Sequence, residues 1–276
     1  MNIINVRDVV KKALSEDIGF GDITSLIIDS SKKGRGYFLA KEDLVLCGAE
    51  VATFCFKELD EKIKVFFTFK DGDFIKKGTE FGTVEGSLRM ILTGERVALN
   101  FLQRLSGIAT ITREFVSKVE KYGVKILDTR KTTPLLRELE KFAVKTGGGQ
   151  NHRFNLSDGV LIKDNHIVAA KGITNAVNEA RKSIPALTKI AVEVKSIKEL
   201  KEALKAKVDH IMLDNMSPLK VAKALSIIKG AVPVEVSGGI TLENIEEYAK
   251  LEPDYISLGC ITHSVKAVDI SLELEK

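Results

Sequence analysis

From residue 124 onward the chain repeats one pattern. A short apolar run with the composition of a buried strand is followed by a polar stretch with helical periodicity. The runs are Val124–Leu127, Gly159–Ile162, Ile190–Val192, His210–Leu213, Val232–Val236 and Tyr255–Leu258. Most are separated by amphipathic helical stretches, which predicts βα units around a parallel sheet. Six strand ends are visible where a closed barrel has eight. The pattern therefore predicts an open, incomplete β/α barrel of about six parallel strands, with the standard eight-stranded barrel as second reading.

The first hundred residues lack this rhythm. Val6–Leu14 predicts an amphipathic helix, followed by the loop Glu16–Thr24 and strand-like runs at 36–40, 63–69 and 81–84. Asp71-Gly72 and Lys77-Gly78 supply turns. The segment 71–86 resembles the hammerhead of lipoyl and biotinyl carriers, but no lysine sits in a tight hairpin between methionines, which argues against a carrier. A long helix is expected from Leu88 to Val119, with a break near Ser106-Gly107. Val268–Leu272 alternates like a strand. The expected domains are an N-terminal α/β domain over 1–110, to which 265–276 returns, and the barrel over 111–264.

Bulk properties narrow the function. The chain has 276 residues, enough for one large domain or two modest ones. A formal net charge of +4 without a long Lys/Arg block argues for a local cationic pocket rather than for nucleic acid. No apolar run approaches a membrane span, and the first residues lack the basic and apolar regions of a signal peptide, so a cytoplasmic protein is expected. Cys47, Cys55 and Cys260 are odd in number and widely spaced, which argues against a disulfide framework and a zinc site and predicts buried small hydrophobes.

In β/α barrels the active site lies where strands end and loops begin. Here the first run leads into Asp128-Thr129-Arg130-Lys131. Arginine offers a planar donor fork for carboxylate or phosphate, and lysine a compact point charge. Pro134 can start the next helix, and a solvated loop is the plain alternative. Thr146–Arg153 joins three glycines to His152 and Arg153; the glycines allow backbone N–H groups close to an anion, a flexible linker being the alternative. Lys163 ends an apolar run and must point into the mouth or pair with an acid such as Asp164. Glu193 and Asp214 end consecutive runs. Two carboxylates in a cationic pocket suit Mg²⁺ or a cationic transition state, or they are ion-pair partners of Lys163 and Arg153. Ser237-Gly238-Gly239 and Gly259 follow the last two strands, where barrels often bind phosphate, with Thr241 placed to cap a helix. Nothing local marks Arg96, and a solvated surface arginine is its default reading. The converging groups predict a site for an anionic, phosphate-bearing substrate with a divalent metal.

These residues also resemble a known family. Asp128–Thr132, Thr146–Arg153, Ile162–His166, Leu213–Asn215 and Glu235–Gly239 match quinolinate phosphoribosyltransferases, as do Glu16–Thr24, Gly94–Arg96, Leu105–Ala109 and Thr262–Ser264. The resemblance runs through essentially the whole chain in order; Cys260, where a small residue such as alanine is expected, is its mildest departure. It implies that quinolinate and phosphoribosyl pyrophosphate give nicotinate mononucleotide, pyrophosphate and CO₂ in de novo NAD synthesis. It also implies an α/β sandwich followed by an open β/α barrel, in a homodimer whose active site is shared between subunits, a hexamer being the alternative. By the same resemblance Arg96 reaches the neighbouring subunit's site, and Arg130, His152 and Arg153 hold the quinolinate carboxylates. Lys131 and Lys163 contact anionic groups, with Thr129 in the same binding set. Glu193 and Asp214 face the ribose and Mg²⁺, directly or through substrate or water. Ser237, Gly238, Gly239 and Gly259 bind the 5-phosphate. Lys131, Lys163, Glu193 and Asp214 are the expected catalytic residues.

Three other readings compete. A paralogue associated with molybdate transport shares much of the pattern, and a nicotinate phosphoribosyltransferase faces a single substrate carboxylate. A non-catalytic phosphate-binding barrel is the third, but it gains nothing from Glu193 and Asp214.

Overall fold

The computed structural model describes residues 3–275, so Met1, Asn2 and Lys276, with the sequence expectations placed on them, lie outside it. By compactness the chain divides into two units. The first comprises 1–113, 132–148 and 260–276, and the second 114–131 and 149–259. No described helix is long and apolar enough to cross a membrane.

The first unit opens with α1 (Ile3–Ile18), whose buried Val6, Val10 and Leu14 recur every four residues and so form one apolar stripe. Then come β1 (Lys33–Ala40), β2 (Leu44–Val45), α2 (Ala49–Leu59), β3 (Lys64–Phe67), β4 (Phe74–Ile75) and β5 (Glu80–Ser87). β5 pairs antiparallel with both β1 and β3. The far edge of β1 takes the chain's last strand, giving a four-stranded antiparallel sheet. Alternate residues of a strand share one face. Phe38 is accordingly buried, stacked on Phe67 with ring centroids 5.2 Å apart and edge-on to Phe56 of α2 at 6.3 Å.

α3 (Leu88–Val119) is one unbroken helix of 32 residues, not the interrupted one expected at Ser106-Gly107. The pair serves packing instead. The buried Ser106 hydroxyl accepts the Cys47 N–H at 2.9 Å, and at Gly107 an added Cβ would lie 2.4 Å from the Lys266 carbonyl oxygen. Gly107→Ala improves helix propensity by about 1 kcal/mol but forces that backbone apart. Overpacking of this kind costs about 1–3 kcal/mol, so the variant is expected to show a net loss of stability in urea unfolding.

The second unit holds β6 (Lys125–Leu127), β7 (Val160–Ile162), β8 (Ile190–Val194), β9 (His210–Asp214), β10 (Val234–Ser237) and β11 (Tyr255–Ser257). All adjacent pairs are parallel, in the order β6-β11-β10-β9-β8-β7. β6 and β7 do not pair, so this is the expected open barrel of six strands. The free edge of β6 is met by one residue: Gln150 donates to the Ile126 carbonyl at 2.8 Å and accepts the Asp128 N–H at 3.2 Å. This satisfies edge groups that would otherwise invite another strand.

α4 (Arg137–Thr146) lies in the first unit. α5 (Asp164–Ala169), α6 (Ile173–Ser183), α7 (Ile197–Lys205), α8 (Pro218–Ile228) and α9 (Ile245–Ala249) connect the barrel strands. α7 begins where the Ser196 hydroxyl accepts the Glu199 N–H, and it buries Leu200 and Ala203. The short α10 (Cys260–His263) and β12 (Ile270–Leu274), the strand paired with β1, complete the chain. Cys47 and Cys55 are buried as expected, whereas Cys260 is only half-buried because it opens α10 directly after the Gly259 turn.

Candidate active site at the barrel mouth

Strand register sorts the barrel residues into two faces. Val192, Ile211 and Val234 share one row, and Ile126, Ile256 and Val236 another, all buried. The opposite face carries the polar groups. Glu193, Met212, Glu235 and Tyr255 lie side by side, and Asp214, Ser237 and Ser257 form the next row toward the strand ends. Ile162 pairs with Val192, so the residue after it, Lys163, comes level with Glu193.

That register explains the ion pairs. Lys163 Nζ donates to Glu193 Oε2 at 2.7 Å, while the neighbouring Asp164 takes Lys195 Nζ at 2.8 Å. The acid nearest Lys163 in sequence is therefore not its partner: Lys163 points along its row and Asp164 begins α5. Lys195, which the strand-end pattern missed, is a further cation at this mouth. The Asp164 carboxylate, helped by Asp214 and Glu193, holds its ammonium above the usual range.

At the ends of β9 and β10 the backbone is tightly specified. Asn215 adopts φ 54° and donates its backbone N–H to the Ser237 carbonyl at 2.8 Å and its amide to Asp214 Oδ2 at 2.9 Å. Gly238 lies at φ 91°, and a Cβ there would sit 2.3 Å from Asn215 Oδ1, so only glycine fits. Among the described residues neither the Gly238 nor the Gly239 N–H bonds another backbone group, and N–H groups of such a turn can receive an anion. Thr241 does not cap a helix: α9 starts only at Ile245, because Asn244 folds back to bond the Gly239 carbonyl and the Thr241 N–H. Any anion here is held by loop N–H groups rather than by a helix end.

The other side of the mouth is built on Asp128, wholly buried at the end of β6. Its two oxygens accept the His152 N–H at 2.8 Å and the Asn151 amide at 2.7 Å. The loop is thus pinned, not a flexible linker. Its glycines do other work than expected: Gly147 and Gly148 donate to α4 carbonyls, and a Cβ on Gly147 would lie 2.5 Å from the Ala109 oxygen of α3. Pro134 does not start α4 either. The Leu136 N–H turns back to the Thr133 carbonyl and Leu135 takes φ 67°, so the helix begins at Arg137.

Arg153 donates to the Gly159 carbonyl at 2.9 Å, yet its Nε is buried without a partner. Burial first, and then the nearby Arg130 charge, disfavour its cation. Two guanidiniums together, one with an orphaned donor, suit an acid that offers more than one group of acceptor oxygens. Thr129 accepts the Lys131 N–H at 3.0 Å, and Arg130 and Lys131 are exposed. The His152 ring accepts the Arg153 N–H at Nδ1, 2.7 Å away, and presents Nε2 to Glu235 Oε2 at 3.5 Å.

Glu235 is the group sequence reasoning passed over. It is wholly buried, and His210 Nε2 also lies 3.0 Å from the same oxygen. Burial alone pushes its carboxyl up, but His152 and His210 together hold it at about 2, with a pull from Ser257, whose hydroxyl makes no hydrogen bond of good geometry. A lone acid between two valines of a buried strand was the signal that could have found it.

Glu193 and Asp214 are the acids that could meet a metal. Among the described residues no group of three or more metal-ligating side chains occurs. The two carboxylates, hard oxygen donors, would fit an ion that keeps waters and substrate phosphates, as Mg²⁺ does.

Arg96 stands on the exposed side of α3 in the first unit. With Asp17, Asp22, Ile23 and Thr93 it lines a cavity of about 290 Å³. One turn before it, Thr93 donates to Asp22 at 2.9 Å, tying down a loop that exposes Phe20, Ile23, Leu26 and Ile27.

Known proteins resemble this chain in sequence and fold. Residues 22–106 match the family model for the quinolinate phosphoribosyl transferase N-terminal domain, and 108–273 match the C-terminal domain. The chain is 46% identical over 279 residues to a probable nicotinate-nucleotide pyrophosphorylase [carboxylating] of Methanocaldococcus jannaschii, covering 96% of each. It is 43% identical over 274 residues to the corresponding protein of Bacillus subtilis strain 168, covering 99% of this chain and 95% of that one. The solved nicotinate-nucleotide pyrophosphorylase from Francisella tularensis superposes with a TM-score of 0.95 at 40% identity, over 99% of this chain and 96% of the other. The chain belongs to the quinolinate phosphoribosyltransferase family.

Proposed function

We propose that the chain is the cytoplasmic enzyme that joins quinolinate to phosphoribosyl pyrophosphate, releasing pyrophosphate and CO₂ and forming nicotinate mononucleotide for NAD synthesis. The observation that carries the reading is the Arg130–Arg153 pair with the buried, unpartnered Arg153 Nε. Both substrates are polyanions, and fixed cations offset the repulsion of bringing them together. Arg130 and Arg153 take the ring carboxylates with His152 beside them, and Lys131, Lys163 and Lys195 face the phosphates. Ser237, Gly238, Gly239 and Gly259 cradle the 5-phosphate.

Glu193 and Asp214 face the ribose, where departure of pyrophosphate leaves an oxocarbenium-like carbon that carboxylates stabilise. Bound Mg²⁺, held by these acids through substrate or water, would neutralise charge on the leaving pyrophosphate. Loss of CO₂ next to the alkylated, positive ring nitrogen needs no protein base. The exposed apolar loop beside Arg96 supports a homodimer in which Arg96 completes the partner's site.

The test is a comparison of two acids. Quinolinate with phosphoribosyl pyrophosphate and Mg²⁺ should yield nicotinate mononucleotide, whereas nicotinate, lacking one carboxylate, leaves a cation of the pocket, such as the half-buried Arg153, unpaired at about 2–5 kcal/mol. Its kcat/KM is therefore expected to fall at least about thirtyfold below that of quinolinate. Comparable turnover of both acids would sink the reading.

A further inference from the structure

We infer that Glu235 is a positioning residue for quinolinate, acting through His152 on the pair His152–Arg153. The inference rests on the reading of Arg153 and His152 as the quinolinate side of the site. Glu235 is wholly buried, stands in the same row as Glu193 and faces the barrel interior, so no solvent competes for its charge. Its Oε2 meets two ring nitrogens, His210 Nε2 at 3.0 Å and His152 Nε2 at 3.5 Å. Because the His152 Nδ1 accepts the Arg153 backbone N–H at 2.7 Å, that nitrogen carries no proton and Nε2 must be the donor.

The ring therefore links a buried carboxylate on one side to the Arg153 backbone on the other. Asp128 holds the same loop from behind, through the His152 N–H and the Asn151 amide. Two buried acids thus fix the segment that aims the Arg153 guanidinium, whose Nε is unpartnered. Asp128 sets the backbone, and Glu235 sets the ring. His210, on the floor of the same face, supplies the second donor that keeps Glu235 in place. Glu235 need not touch substrate for this: a group that orients a binding residue changes affinity through it.

The test measures KM for each substrate in wild type, Glu235→Gln, His152→Ala and the double variant. Glu235→Gln keeps the shape but replaces a charge-assisted contact with a neutral one, about half as strong. The expected result is a rise of roughly fivefold in quinolinate KM with phosphoribosyl pyrophosphate KM within about twofold, and no further rise when His152 is already alanine. The proposal is overturned if Glu235→Gln leaves quinolinate KM unchanged, raises both KM values alike, or acts equally in both backgrounds. An unchanged quinolinate KM in His152→Ala alone would instead refute the reading of His152 on which the inference rests. Should Glu235→Gln not fold, Glu235→Asp, which keeps the charge but withdraws it from the ring, is read in the same way. Failure of both to fold would assign Glu235 to stability alone and overturn the proposal.

Discussion

Arg96→Ala and Lys163→Ala are each expected to abolish turnover as homodimers, while refolding an equal mixture recovers about a quarter of wild-type activity. The expectation follows from two residues in different units of the chain. Lys163 sits in the barrel, paired with Glu193 at 2.7 Å, and Arg96 lies on the exposed side of α3, lining one cavity with solvent-facing Ile23. If Arg96 completes the partner's site, a mixed dimer has one site with an intact barrel and an intact Arg96, and one site with both defects. Random pairing makes about half of the dimers mixed, and each has one working site of two, hence about a quarter. Dimers that form but stay inactive would place Arg96 in its own subunit's site or in none.

Removal of divalent metal is expected to stop turnover, and Glu193→Gln or Asp214→Asn to lower kcat by about 10²–10³-fold with quinolinate KM nearly constant. In the reaction proposed above these acids face charge that develops as pyrophosphate leaves, so their contribution is expected mainly in the transition state. Asp214 is well placed for this because Asn215, strained at φ 54°, fixes it through its amide. Steady-state kinetics with and without EDTA provide the check. Full activity in EDTA, or a change confined to KM in both variants, would remove the acids and the metal from the chemistry.

Much of this was legible in the chain alone. Strand length and apolar composition located all six barrel strands, because a parallel strand with a fully buried face and a largely enclosed second one leaves a mostly apolar run between polar loops. The stripe Val6, Val10, Leu14 announced α1 for the equivalent helical reason. Cations and acids at strand ends pointed to the mouth, since the ends of parallel strands converge there.

Glycine and proline were less informative. Gly147, Gly107 and Pro134 all carry strong local signals, but their roles depended on what lay against them: α3, the Lys266 carbonyl, and a turn closed by Thr133. A local rule describes what a residue permits, and a neighbour distant in sequence decides what is used.

The sequence by itself thus determined the fold class, the family and the set of charged residues available to the site. Tertiary structure alone decided which charge meets which. Register between strands set Lys163 level with Glu193, sent Asp164 to Lys195, and gathered Glu235, His210 and His152 around one buried oxygen. Side chains alternate along a strand with a period of two, so a slip of one residue would have turned every one of these groups to the opposite face. That choice depends on hydrogen bonds between strands far apart in the chain, which no local pattern contains.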